Sequence, residues 1–277
     1  MTWMQSILNG QIEFGKVIFI LIMIAITNFF DTTAYAARLS GIATGKLAIA
    51  NSLYSMLTFG SRTTTLLYIA PIGGIIDRAI TNSFDPFFVL IFVVMGAALG
   101  TGAAIFMMPT VVNFYRLGIN KMDASQTAIK VFKSIFLSKK GIYELFKCWR
   151  RPTLEMWRRI SVKGISKHIL VMNAILYSLF TVGSISAYYS AWLNPEYMAR
   201  ATSLSPAVNA VSAFLLLFLV DPYSAIVIDR GINKKMPFDT VKSIMVYLSI
   251  SRLFGTILAL AMLYPGALFI GYLAQFL

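Results

Sequence analysis

The chain has 277 residues, 58% of them hydrophobic and only 13% charged, with a formal net charge of +13. Soluble domains carry about a quarter charged residues, so this composition excludes an ordinary water-soluble globule. The basicity does not point to nucleic acid, because residues 116–168 hold thirteen Lys/Arg against Asp123, Glu144 and Glu155, which is +10 of the total.

Mean hydropathy is +0.74. Several apolar runs exceed the roughly 18 residues needed to cross a hydrocarbon core of about 30 Å. They do not alternate as the strands of a membrane barrel would. The predicted fold class is therefore an all-α polytopic membrane protein.

Residues 1–16 read as a short amphipathic lead-in with Trp3 as an interface anchor. The first apolar run, from Val17, is too long for a signal h-region and lacks a basic n-region. It is expected to stay as a span. Six transmembrane helices are predicted, at 17–37, 47–76, 86–114, 169–193, 204–228 and 241–264. Pro265-Gly266 then interrupts the last apolar piece, 267–277. That piece either prolongs the sixth span past a kink or lies at the interface.

Between the third and fourth spans lies the basic segment. Asp123-Ala-Ser125 is expected to open a helix with Ile129, Phe132, Ile135 and Phe136 on one face and Lys130 and Lys133 on another. Ile142, Leu145, Phe146 and Trp149, then Leu154, Trp157 and Ile160, continue the pattern across Pro152. These are expected to be amphipathic interfacial helices on an anionic inner leaflet, either as anchors or as a platform for an anionic lipid head group. Anionic membrane lipids are expected partners. Cys148, the one cysteine, reads as an inert interfacial thiol.

A basic cytoplasmic segment puts both termini outside the cell. Arg38 and Lys46, and the group Arg230, Lys234 and Lys235, then also lie inside. The outer loops hold Arg78 and Arg200 beside Asp77, Asp85 and Glu196.

An offset of 152 to 154 residues relates the two ends of the chain. Ala34-Tyr35 meets Ala187-Tyr188, and Asp77-Arg78 meets Asp229-Arg230. Asn51, Ser55 and Thr58 meet Ser205, Asn209 and Ser212, and Pro71 falls near Pro222. Three spans per half means that the second half enters upside down. The expected architecture is two inverted-topology three-helix repeats, 1–115 and 169–277, joined by the 116–168 segment.

Polar residues form stripes. Asn51, Ser55, Thr58, Arg62 and Thr65 are spaced 4, 3, 4, 3 and share one helix face. Asn173, Tyr177, Thr181, Ser184 and Tyr188 do the same, as do Asn28, Asp31 (or Thr32), Tyr35 and Arg38. Gly96-x-x-x-Gly100 suggests close helix packing. Arg62 and Arg252 each fall about midway along a span. A charge there costs at least about 2.5–3.5 kcal/mol and faces a cavity or a partner. Two readings stay open: an internal ion pair with Asp31 or Asp221, or a cationic lining for an anionic substrate. The candidate substrate-binding set is Arg62, Arg252, Asp31, Arg38, Asn51, Ser55 and Thr58.

Signals for catalysis are poor. His168 is the single histidine, which argues against a His-based metal site or triad. Gly41 to Lys46 is one residue short of a P-loop and lacks the following Ser/Thr, so it reads as a helix-linking loop. No cofactor is expected.

Tyr35-Ala36-Ala37-Arg38-Leu39-Ser40-Gly41, with Ser61-Arg62 and then Ala70-Pro71-Ile72-Gly73-Gly74-Ile75-Ile76-Asp77-Arg78-Ala79-Ile80, resembles the Amj family. The similarity is clearest over residues 25–80. This family is the alternate, MurJ-independent lipid II flippase of bacteria. The resemblance implies a transporter of the bacterial cell membrane, with lipid II as its substrate. Mid-depth arginines suit a pyrophosphate, and Asn, Ser, Thr and Tyr stripes suit sugars. The alternatives are a carrier of another anionic lipid or solute, and a non-transporting scaffold for envelope assembly.

Overall fold

The computed structural model describes residues 13–125, 128–158, 160 and 164–277, and for residues 125, 128, 129, 132, 154 and 157 the backbone alone. Trp3 and the side-chain faces expected for Ile129, Phe132, Leu154 and Trp157 fall outside the described residues. Every regular element among the described residues is helical.

Three long helices come first: α1 (Phe14–Thr44), α2 (Leu47–Thr81) and α3 (Phe87–Ser125). Three short ones follow in the basic segment: α4 (Ala128–Phe136), α5 (Lys139–Cys148) and α6 (Leu154–Arg158). Then come α7 (Lys167–Leu193), a 3₁₀ turn (Pro195–Tyr197), and α8 (Met198–Leu215). A π-helical turn (Leu216–Val220) joins α8 to α9 (Asp221–Ile232), and α10 (Phe238–Phe276) ends the fold.

Among the described residues, five stretches are long and apolar enough to cross a membrane: α1, Phe87–Ala124 of α3, α7, Pro195–Ile232 and α10. The chain is a multi-pass membrane protein. α2 is 35 residues long, enough to cross, but too polar to meet the same standard. Arg62, Asp77, Arg78 and a run of hydroxyls lower its apolarity. Thr58, Thr63 and Thr64 donate to the carbonyls of Tyr54, Phe59 and Gly60, so these hydroxyls are satisfied inside the helix.

The structure decides one boundary that the sequence left open and differs from the sequence reading in two others. Pro265 does not end α10, which stays helical to Phe276. Neighbouring helices tolerate an interior proline in a membrane helix. Asp123-Ala-Ser125 does not open a new helix but forms the end of α3. Lys46 bridges Asp123 at 2.8 Å and donates to Asn120, which ties the α1–α2 turn to that end. In addition, Pro222 interrupts the fifth span. Proline has no N–H for the carbonyl one turn back, and the preceding turn widens to π geometry.

Gly45 closes α1 in the left-handed conformation, with φ 70°. Its N–H bonds to the Ile42 carbonyl. Gly41 to Lys46 is thus a helix C-cap, as the P-loop mismatch implied.

α1 packs on both α2 and α3, while α2 and α3 touch each other little. α7 packs on both α8 and α10 in the same way. The first helix of each group is the central one. α3 and α10 join the groups along one side, and α2 reaches α7 near Gly73 and Tyr188. Glycines set the closest approaches. A Cβ on Gly100 would stand 2.0 Å from the Ala25 carbonyl oxygen of α1, and one on Gly255 would stand 2.4 Å from that of Ala174 on α7.

The cores differ between the two ends. At the end holding Thr81 and Leu193, one apolar cluster unites α1, α2, α3, α7, α8 and α10. At the basic end the core splits. One cluster holds α1 and α3, with α2 packed on it. The other holds α7, α9 and α10, to which α1 lends Tyr35 and Leu39.

In the basic segment, Ser138 caps α5 by accepting the Gly141 N–H at 2.9 Å. Val131 and Ile135 of α4 are buried, whereas Ile142, Tyr143 and Phe146 of α5 and Trp149 just after it stand exposed. Lys121 pairs with Glu144 at 2.6 Å and fastens α5 to α3. Burial pushes the Cys148 thiol up, and Glu144 adds to this. Less thiolate at neutral pH fits an unreactive cysteine.

Candidate functional site

The split in the core leaves a slot of about 510 Å³ at the basic end, between α2 and α9. Its mouth lies at Leu47 and Ile232, the ends of those two helices. Arg38, Asn51, Tyr54, Ser55 and Asp221 line it further in. α2 and α8 make no substantial contact with each other, so this is the side of the bundle without a helix–helix seam.

A smaller chamber of about 20 Å³ lies deeper, lined by Asp31, Tyr35, Tyr54, Thr58, Arg62, Tyr177 and Asp221 among others. Leu47 to Arg62 is fifteen residues along α2, which is about 22 Å at about 1.5 Å per residue. Tyr54 and Asp221 border both spaces. The Tyr54 hydroxyl donates to Asp221 Oδ1 at 2.9 Å and forms the neck between them. The Arg38 guanidinium lies 3.6 Å over the Tyr54 ring, 3.9 Å from Asp221, and donates to Ser224. The π turn places Asp221 here, at the start of α9.

Arg252 lies behind the chamber wall. It is 1% exposed. Its Nη1 stands 2.6 Å from Asp31 Oδ2, its Nη2 donates to Asn28 Oδ1 at 3.2 Å, and its carbon centre lies 4.0 Å over the Tyr177 ring. Asp31 also accepts from Ser61 of α2 at 3.0 Å. One carboxylate therefore binds α1, α2 and α10 together.

The candidate residues sort as follows. Arg62, Asp31 and Thr58 line the chamber, and Arg38, Asn51 and Ser55 line the slot. Arg252 does not line either space; it forms the ion pair that the sequence left open as an alternative. Asp31 neutralises Arg252, and Asp221 lies against Arg38. Arg62 is then the chamber cation with no carboxylate at ion-pair distance among the described residues. Tyr54 was missed in the sequence, although it sits one turn from both Asn51 and Thr58.

The second polar stripe has a different fate. Asn173 is buried and bonds to the Leu248 carbonyl and Ser251 of α10. Ser184 accepts from Asn209 of α8. Ser205 and Ser212, which the sequence offset pairs with Asn51 and Thr58, are each 3% exposed. The α8 stripe is shut against neighbouring helices where the α2 stripe faces open space. Arg78 meets Glu13 at 2.7 Å, an architectural contact at the far end of α2.

Comparison with known proteins identifies relatives of this chain. The family model described as Amj, alternate to MurJ, matches residues 23–274. A curated relative, lipid II flippase Amj of Bacillus subtilis (strain 168), is 31% identical over 265 residues. The match covers 94% of this chain and 97% of the relative. No solved structure matches.

Proposed function

We infer that this chain, which belongs to the Amj family, is a lipid II flippase: a transporter of the cell membrane, not an enzyme. The observation that carries the mechanism is the slot between α2 and α9, with Arg62 in the chamber beyond its neck. Lipid II joins a polyprenyl tail to a pyrophosphate, two sugars and a peptide. The seamless α2/α8 side lets the tail stay in lipid while the head group enters a polar path. Asn51, Ser55 and Thr58 offer hydrogen bonds to sugars. Arg62 offers a forked donor to the pyrophosphate.

We propose that α2 is the sixth span, a lining helix and not a lipid-facing one. The halves 1–115 and 169–277 are inverted repeats, and the segment 116–168 lies on the cytoplasmic side with α4 to α6 at the interface. The repeated packing order, with α1 and α7 each central, supports the duplication. The positive charge at one end supports the orientation, with both termini outside. The unlike fates of the two stripes support alternating access. In the opposite state, the Ser205, Asn209 and Ser212 stripe would line the path and the α2 stripe would close.

Two experiments test this reading. In cells whose lipid II transport depends on this chain, lipid II is expected at the outer face when the protein is present and not after its depletion, read by cleavage with an external lipid II hydrolase. Vesicles of purified protein that move other polyprenyl phosphates but not lipid II would redirect the reading to another anionic lipid. A scaffold would move neither, and a scaffold has no need of the slot.

The second experiment reads sidedness. With Cys148 replaced by serine, Asn51→Cys is expected to react with a membrane-impermeant maleimide from the cytoplasmic side only. Ser205→Cys is expected to be protected in this state. Labelling of Asn51→Cys solely from outside would reverse the orientation.

A further inference from the structure

A separate cavity of about 140 Å³ lies on the opposite flank of the bundle, where α3 meets α10 at the basic end. Its floor is apolar, with Ile105, Met108 and Val246 among the lining residues. Pro152 and Met156 cover it from the basic segment. Three cations also line it: Arg116 of α3, Arg150 of the α5–α6 connection and Lys242 of α10. No acidic side chain is among the lining residues, and these three enter no ion pair among the described residues. The Arg116 Nε is buried without a hydrogen-bond partner. A buried orphan donor is a cost that a ligand acceptor would remove.

The cover is held in place. Thr110 of α3 donates to the Arg150 carbonyl and accepts the Arg150 N–H, both at 3.0 Å. Asn113 donates to the Cys148 carbonyl at 3.4 Å. The cavity is thus a fixed compartment with an apolar interior and a cationic edge. It lies at the level of the leaflet that faces the basic segment.

We propose that this compartment is a binding site for an anionic glycerophospholipid. Its phosphate sits among Arg116, Arg150 and Lys242, and one acyl chain lies on the Ile105–Met108–Val246 floor. Basic pockets between membrane helices on the cytoplasmic side suit such head groups. The site is not the transport path, because α3 and α10 lie across the bundle from the α2/α9 slot. The two meet on α1, where Leu39 borders the lipid compartment and Arg38 borders the slot. Occupancy therefore bears on the neck formed by Tyr54 and Asp221.

The test uses the full chain in nanodiscs of phosphatidylcholine doped with phosphatidylglycerol, with retained lipid read by native mass spectrometry. Preferential retention of phosphatidylglycerol is expected. The combined variant Arg116→Gln, Arg150→Gln, Lys242→Gln should lower that affinity about a hundredfold, at about fivefold per charge removed. Met108→Trp keeps the charges and fills the floor, and it should also lose the lipid. A control variant, Lys139→Gln, Lys140→Gln, Arg151→Gln, removes as many charges from the same segment and should change retention little. Equal loss in the control would show a diffuse basic surface and overturn the site. Competition by glycerol phosphate as strong as that by phosphatidylglycerol would show a free-anion site and also overturn it. Wild-type protein with no preference for phosphatidylglycerol over phosphatidylcholine overturns the site whatever the variants do. None of these outcomes bears on whether the protein moves lipid II.

Discussion

Asp31→Ala is expected to destabilise this protein by about 3–5 kcal/mol, the usual cost of breaking a buried ion pair from one side. That is a large part of a typical folding stability of about 5–15 kcal/mol. Arg252 would be left 1% exposed, with Asn28 and the face of Tyr177 as its remaining partners. Its charge cannot reach water from that position. The loss also releases Ser61, so α2 loses a tether beside Arg62. Unfolding in detergent, followed by circular dichroism, measures the effect. The double variant Asp31→Leu, Arg252→Met is expected to recover most of the stability, because an apolar pair of similar volume replaces a desolvated charge pair at little cost. An Asp31→Ala protein as stable as wild type would mean that water reaches Arg252.

Arg62→Gln is expected to do the opposite: little change in stability, within about 0.5 kcal/mol, and a large loss of transport. The side chain is exposed to the cavity and enters no ion pair or hydrogen bond among the described residues. Its removal therefore breaks nothing in the resting fold. A hydrogen bond to a charged group is worth about 1.5–3 kcal/mol, which corresponds to about a 10- to 100-fold loss of lipid II delivered to the outer face. Arg62→Lys should retain part of the activity, since the charge stays but the planar fork is lost. Wild-type delivery by Arg62→Gln at normal expression would remove Arg62 from the path. The two arginines are thus expected to separate cleanly, with stability depending on the Arg252 pair and transport on Arg62.

The two arginines also mark how far the sequence could be read. Their place midway along long helices was legible, because charge in a long apolar run stands out. Their roles were not, because an ion pair between Asp31 and Arg252 joins residues far apart in the chain and no periodicity records it. The α2 stripe was legible from its 4, 3, 4, 3 spacing, and it does line the slot and chamber. The stripe on α7 had the same spacing, yet Asn173 and Ser184 are consumed by packing. Periodicity tells which residues share a face but not whether that face is open. The run through Pro265 was left open by the sequence, since proline breaks isolated helices while neighbouring helices support it here. Asp123-Ala-Ser125 carried a cap signature, but tertiary contacts with Lys46 hold it as the end of α3.

The polarity of α2 has a consequence for how the molecule is made. A helix with an arginine near its centre and a hydroxyl-rich face partitions poorly into lipid by itself. Its partner, however, is synthesised first. α1 is apolar enough to insert alone, and it already carries Asp31, the acceptor for Ser61. Only the two residues between Thr44 and Leu47 separate them, so α2 follows as the second arm of a hairpin. On the proposed reading of α2 as a span, biogenesis is expected to depend on the order of the chain: the proposed lining helix is admitted to the membrane by the one written before it.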